Sequence, residues 1–183
     1  MLTKVVLVAA VVVGGGVVRA DDEAKPPAPQ KEHEWLKQLV GEWETEAEMI
    51  VAPGQPPVTS KGTENIRSLG GFWSVAEMTT ECQGVTVNGV MTIGYNPEKK
   101  KYVGTWVCSM DNKLWHYKGT LDATGTVLTL ETEGPSIIAP GTTAKMRDVI
   151  EIKDKDHKVF TSFIQMEDGK WVSFMTMNSR RKK

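Results

Sequence analysis

The chain has 183 residues, 25% of them charged and 40% hydrophobic, with a formal net charge of −1. That length and balance suit one ordinary folded domain and give no basic footprint for nucleic acid. The two cysteines, an even number, would invite a disulfide in an exported chain.

Residues 1–20 read as an export signal, outside the fold. Lys4 precedes an apolar run from Val5 to Val13, followed by Gly14-Gly15-Gly16 and Val18-Arg19-Ala20. A basic start, a short apolar run and small residues at the end predict cleavage after Ala20. The run is shorter than the roughly 20 residues a membrane span needs. The expected location is therefore periplasmic or extracellular, with no stable membrane span after cleavage. Loss of Lys4 and Arg19 leaves 20 basic residues against 23 acidic ones.

Residues 21–31 (DDEAKPPAPQK) are charged and proline-rich and read as a disordered leader. Residues 32–183 read as a single domain. A short helix is predicted from about 31 to 40, with Trp35, Leu36, Leu39 and Val40 on one side. It is placed to plug one end of whatever the strands build.

From Gly41 onward the pattern is strand and turn. Glu42, Glu44, Glu46 and Glu48 alternate with Trp43, Thr45, Ala47 and Met49. A period of two puts the acids on a solvated face and Trp43 on a buried one. Further strands are predicted at 61–69, 72–87 (bent near Gly84), 90–96, 101–109, 113–120, 126–133, 144–153, 158–166 and 170–179. Asn88-Gly89 and Asp168-Gly169 are hairpin signals, and Asn96-Pro97 opens a third turn. Evenly spaced strands joined by hairpins predict an all-β, about ten-stranded, antiparallel up-and-down barrel, closed so that no edge is exposed.

A turn at Asn88-Gly89 sets Met91 opposite Thr86 and Tyr95 opposite Cys82. The next turns set Tyr95 opposite Tyr102, Met91 opposite Trp106, Trp106 opposite Tyr117 and Cys108 opposite Trp115. One face then carries Met91, Ile93, Tyr95, Tyr102, Trp106, Trp115 and Tyr117 and continues to Leu128 and Leu130. The other carries Thr92, Thr105, Val107, His116 and Lys118. Such a split is that of a half-buried antiparallel sheet, with the aromatic face inside. In this register Cys82 and Cys108 are at least two strands apart, farther than the roughly 7 Å a disulfide spans, so both are expected as free thiols.

Leu39-Val40-Gly41-Glu42-Trp43, Leu69-Gly70-Gly71, Ile93-Gly94-Tyr95-Asn96-Pro97, Tyr102-Val103-Gly104-Thr105-Trp106 and Gly119-Thr120-Leu121-Asp122 resemble the domain-of-unknown-function 1579 family. The resemblance runs from about Glu34 to Arg181 and implies a calycin-like barrel, often secreted, with no established activity. Where similar proteins often carry Asp-Ser after the Trp strand, this chain has Cys108-Ser109. Lipocalin-like barrels also imply a late basic residue, here Arg180 or Arg181, stacked over the Gly-x-Trp tryptophan, Trp43.

No catalytic motif is present. His33, His116 and His157 are the three histidines, and they read as solvated, not as converging metal or haem ligands. Four glutamates in line on one strand do not form a shell for calcium. No cofactor is expected. Arg67, Glu77 and Asp148 lie within otherwise apolar strands and must be paired if they point inward. Arg67 with Glu77 or Asp148 would then be either a structural pair or the polar anchor of a pocket. The last hairpin is apolar on both faces, with Phe160, Ile164, Met166, Trp171, Met175 and Met177 on one and Val159, Phe163, Val172 and Phe174 on the other. One face is core, and the other is either covered by the leader or helix or is a contact patch for a partner or a second copy, as in a homodimer.

These features predict a binding module that takes a small apolar or amphipathic ligand, its candidate pocket lined by Trp43, Arg67, Glu77, Met91, Tyr95, Tyr102, Trp106, Trp115, Tyr117 and Asp148. The alternatives are an envelope structural or interaction protein with a side-chain-filled barrel, and, less favoured, an enzyme built on Arg67, Glu77 and Asp148.

Overall fold

Among the described residues, ten strands between Gly41 and Arg181 alternate inward and outward side chains and close on themselves. A computed structural model describes residues 28–50 and 55–183. The stretch expected as an export signal, and the expected leader as far as residue 27, lie outside the described residues. The elements are α1 (Lys31–Leu36), a 3₁₀ turn (Lys37–Leu39), β1 (Gly41–Met49), β2 (Val58–Leu69), β3 (Trp73–Cys82), β4 (Val85–Asn96) and β5 (Lys101–Cys108). After these come β6 (Trp115–Leu121), β7 (Val127–Pro135), β8 (Thr143–Asp154), β9 (His157–Gln165) and β10 (Trp171–Arg181). Each strand pairs antiparallel with its neighbours in sequence, and β1 closes on β10. The expected ten-stranded up-and-down barrel is the fold.

The glutamates of β1 are all exposed, while Trp43 and Thr45 between them are buried. α1 covers one end. Its Trp35 Nε1 donates to the carbonyl of Gly125 at 2.8 Å, and the Tyr102 hydroxyl donates to the carbonyl of Glu32 at 3.0 Å. His33 is buried there, contrary to the solvated expectation. Its Nδ1 accepts from the Gln30 N–H at 2.9 Å, and its ring meets Phe72 and Tyr95 edge to face.

The barrel closes where a late arginine lies on Trp43. The Arg181 guanidinium stands 4.1 Å from the indole centroid and donates to the carbonyls of Val40, Gln38 and Lys155. Gly41 makes room for it: at φ +137°, a Cβ here would lie 2.2 Å from Arg181 Nη1. Gly-x-Trp and the terminal arginine therefore form one joint, with planar cation on aromatic face.

Two registers differ from expectation. The hairpin between β3 and β4 turns at Gln83-Gly84, not at Asn88-Gly89, so Met91 faces Ala76 and Cys82 faces Val85. Both turn residues have positive φ, 51° and 80°, as a two-residue hairpin requires. Trp106 pairs with Trp115, and Tyr117 with Gly104. Each slip is an even number of residues, so the face assignments survive. In the last hairpin a bulge between Ser173 and Met175 changes the alternation. Val172 joins Ile164 on the inner face, and Trp171 turns outward, where the Arg147 guanidinium covers its ring at 4.1 Å.

Both cysteines are free and half-buried. Cys82 pairs with Val85 and Cys108 with Gly89, positions four residues apart on the strand between them. That is roughly 13 Å along the strand and two strand spacings across it, well beyond disulfide reach. Alkylation of the unfolded, unreduced protein is expected to add two groups per chain by mass. A mass with no adducts would contradict this register.

Candidate functional site

The inward-facing residues are ordered along rows that spiral from the helix end to the opposite end, the mouth. One row runs Leu121, Leu128, Ile150, Phe160, Met177, Ala47, Ser60. Leu128 and Ile150 are buried, whereas Phe160, Ala47 and Ser60 keep partial exposure. A second row runs Tyr102, Gly119, Leu130, Asp148, Ser162, Met175, Met49 and ends at Val58; it is buried from Tyr102 through Ser162, half-buried at Met175 and 40% exposed at Met49. The helix end is packed and the mouth end is open to solvent.

Two tryptophans shape the mouth. Trp106 and Trp115 are half-buried and stand paired on β5 and β6. A Cβ at Gly89 would lie 2.1 Å from the Trp106 ring, and one at Gly134 would lie 2.2 Å from the Trp115 ring. The six-membered ring of each indole sits over a wall position that has no side chain.

Midway down the barrel the inner wall carries two polar groups. On β8, Asp148 Oδ2 accepts from the Tyr117 hydroxyl and Oδ1 from the Ser162 hydroxyl, both at 2.6 Å. Burial pushes the Asp148 carboxyl upward from 3.8, against the two hydroxyl donors, which favour the anion. It pushes the Tyr117 phenol upward too, with the Asp148 charge adding to the effect. Toward the helix end, Lys158 on β9 donates to Glu64 on β2 and to Ser179 Oγ at 3.3 Å, with its ammonium 4.9 Å from the Trp43 ring centroid. Lys158 and Glu64 are nearly inaccessible, at 4% and 11% side-chain exposure.

The expected pocket residues separate into groups. Trp43, Tyr95 and Tyr102 belong to the packed helix end, where burial raises the Tyr102 phenol to about 12. Met91, Tyr117 and Asp148 lie midway, and Trp106 and Trp115 line the mouth. Arg67 and Glu77 do not belong. Both are exposed on the outer face, Arg67 opposite Val75 and Glu77 opposite Val90. Inward residues of β2 are the even-numbered set with Ile66, so Arg67 points out; Glu77 likewise falls between inward Ala76 and Met78. The Arg67/Glu77/Asp148 cluster is therefore not formed. The residues that do pair inside, Glu64, Lys158, Ser162 and Ser179, share the parity of Ile66, Phe160, Ile164 and Met177. Carrying the inner face from those apolar residues would have located them.

Among the described residues no group of three or more His, Cys, Asp or Glu is placed to hold a metal ion. Two concavities, of about 560 and 510 Å³, lie off the lumen. The first is between α1 and the β4–β5 turn, beside Tyr95 and Lys100. The second is among the rim loops at Lys113, Glu133 and Thr142. Both are shallow, and neither reaches Asp148.

The buried carboxyl gives a pH prediction. A raised folded-state value means that the native protein holds this proton more tightly than the unfolded chain. Its contribution to stability is present below 3.8 and is lost as pH rises through the folded value. Asp148→Asn removes that loss, so urea denaturation should show the variant gaining on the wild type as pH rises from 3.8. A difference that stays constant as pH rises would mean that the carboxyl is not shifted upward.

A family model described as Protein of unknown function (DUF1579) matches residues 28–181. Among solved structures, the chain is similar to Rv2717c from M. tuberculosis, with 13% identity and a TM-score of 0.59 over 85% of this chain and 100% of that one. It is more loosely similar to a de novo designed fluorescence-activating beta barrel, with 12% identity and a TM-score of 0.45 over 80% of this chain and 95% of that one. No curated protein matches the chain in sequence. At such identities Rv2717c speaks for the barrel fold alone.

Proposed function

This chain belongs to the DUF1579 family, and we propose that it is an exported, non-catalytic barrel that holds a small apolar or amphipathic ligand in its open end. The observation that carries this reading is the placement of Trp106 and Trp115 against Gly89 and Gly134. A barrel filled by its own side chains would turn such large rings into the axis and bury them. Here the rings sit over glycines of the wall and keep part of their surface in solvent, at the same barrel end as half-buried Cys82, Cys108 and Met175 and the more exposed Met49. Apolar walls with a few convergent polar groups are the usual make-up of a small-molecule site. Export is supported by Lys4, the Val5–Val13 run and Ala20, and N-terminal sequencing of the fractionated protein should begin at Asp21.

Titration with 1-decanol, followed by tryptophan emission, is expected to give a saturable change. Gly134→Ala forces the Trp115 indole toward the axis and should weaken that binding by about tenfold, roughly 1.4 kcal/mol. Emission that stays flat for neutral, cationic and anionic decyl compounds alike would refute the ligand-holding reading.

A further inference from the structure

We propose that the barrel selects ligands whose head group is a protonated amine, and that Asp148 is the residue that receives it. This rests on the reading of the mouth as a ligand cup. The inward-facing charged side chains among the described residues are Glu64, Asp148 and Lys158, with Arg181 at the helix end. Lys158 is committed to Glu64, and Arg181 to three backbone carbonyls. Asp148 alone has no cation. Its partners are two neutral hydroxyls, one on each oxygen, which fix the carboxyl plane and leave lone pairs on both oxygens unused. Without a cation beside it, a buried carboxyl keeps its proton; an ammonium brought by a ligand would supply the counter-charge that lets Asp148 ionise.

The position fits the same idea. Asp148 lies five residues inside the mouth end of β8 at Thr143, roughly 17 Å along the strand. The row beyond it toward the mouth is Ser162, Met175 and Met49, apolar after the first step and increasingly exposed. An ammonium seated at Asp148 would leave its apolar tail along Met175 and Met49 and the indoles of Trp106 and Trp115. An anionic head in that place would face the carboxylate with no counter-charge. Fatty acids are thus selected against, and long-chain or aryl-alkyl amines selected for.

Decylamine, 1-decanol and decanoate separate head group from tail. The full chain is titrated with each at about pH 7.5, by tryptophan emission and by calorimetry. About 0.3 M salt screens the acidic ladder outside β1. The expected order is decylamine at least tenfold tighter than decanol, with decanoate weakest. Asp148→Asn should bring decylamine down to the level of decanol. A second measurement needs no variant: decylamine binding to the wild type should weaken as pH falls and Asp148 takes up its proton, whereas decanol binding should not follow. Equal affinity for decylamine and decanol, or an amine preference that survives Asp148→Asn, overturns the head-group assignment while keeping the cup. Silence toward all three compounds overturns the cup itself.

Discussion

Replacing Trp43 by alanine should destabilise the barrel by about 3–5 kcal/mol, the range for deleting a fully buried large aromatic. Trp43 is 1% exposed, and its Nε1 donates to the carbonyl of Leu39 at 2.9 Å, tying the 3₁₀ turn to the start of β1. Two cations lie on its ring, Arg181 at 4.1 Å and Lys158 at 4.9 Å. Alanine leaves a cavity, an orphaned carbonyl and two cations without their aromatic face, all at the β1–β10 seam. Urea denaturation followed by circular dichroism measures the loss. Trp106→Ala should lose less, because that indole is half-exposed and lines a wall. A Trp43→Ala loss below about 1 kcal/mol would mean that the seam is held by backbone pairing alone.

The fold was legible because the signals that specify it are local. Alternation in Glu42–Met49 gives a strand and its buried face, and ten such stretches with short turns leave few architectures other than a barrel. Face assignment also tolerated error: a register slip by an even number of residues returns every side chain to the same side. That is why Met91, Tyr102, Tyr117, Leu128 and Leu130 were placed inside although two hairpins were misread. The Asn88-Gly89 signal misled because this glycine answers a different demand. It sits in mid-strand, where the Trp106 indole needs a wall position without a Cβ, and that contact spans 17 residues. The turn at Gln83-Gly84 had a weaker pattern but the required left-handed pair.

The site was legible only in part. Asp148 stood out as an acid in an apolar strand and proved to be inward. Arg67 and Glu77 stood out in the same way and proved to be on the solvated face. Composition alone does not distinguish the two cases; parity relative to Ile66 and Ala76 does. Lys158, the first residue of the strand expected at 158–166, was not singled out. Its partner, Glu64, lies 94 residues away. No local pattern marks a pair that exists only once the barrel has closed. The Ser173/Met175 bulge likewise reverses Trp171 and Val172 without a glycine or proline to announce it.

That Lys158–Glu64 pair carries the second large expected effect. Both side chains project into the barrel from strands on opposite sides of the β1–β10 seam, β9 and β2, with β10 and β1 between them. Removing one partner strands the other as an uncompensated buried charge, so Glu64→Gln and Lys158→Met should each destabilise by about 3–5 kcal/mol. The double replacement Glu64→Leu with Lys158→Met leaves no charge behind, and it should recover much of either single loss. Apolar groups of similar volume often serve as well as a buried ion pair. A double-mutant cycle in urea reads the coupling directly. The result also reports on the lumen. Should both single variants lose less than about 1 kcal/mol, water must reach the pair, and the boundary between packed end and open cup would lie closer to Trp43 than Asp148 does. Large single losses with a benign double would place that boundary above Lys158, leaving Asp148 as the inward-facing charge nearer the mouth.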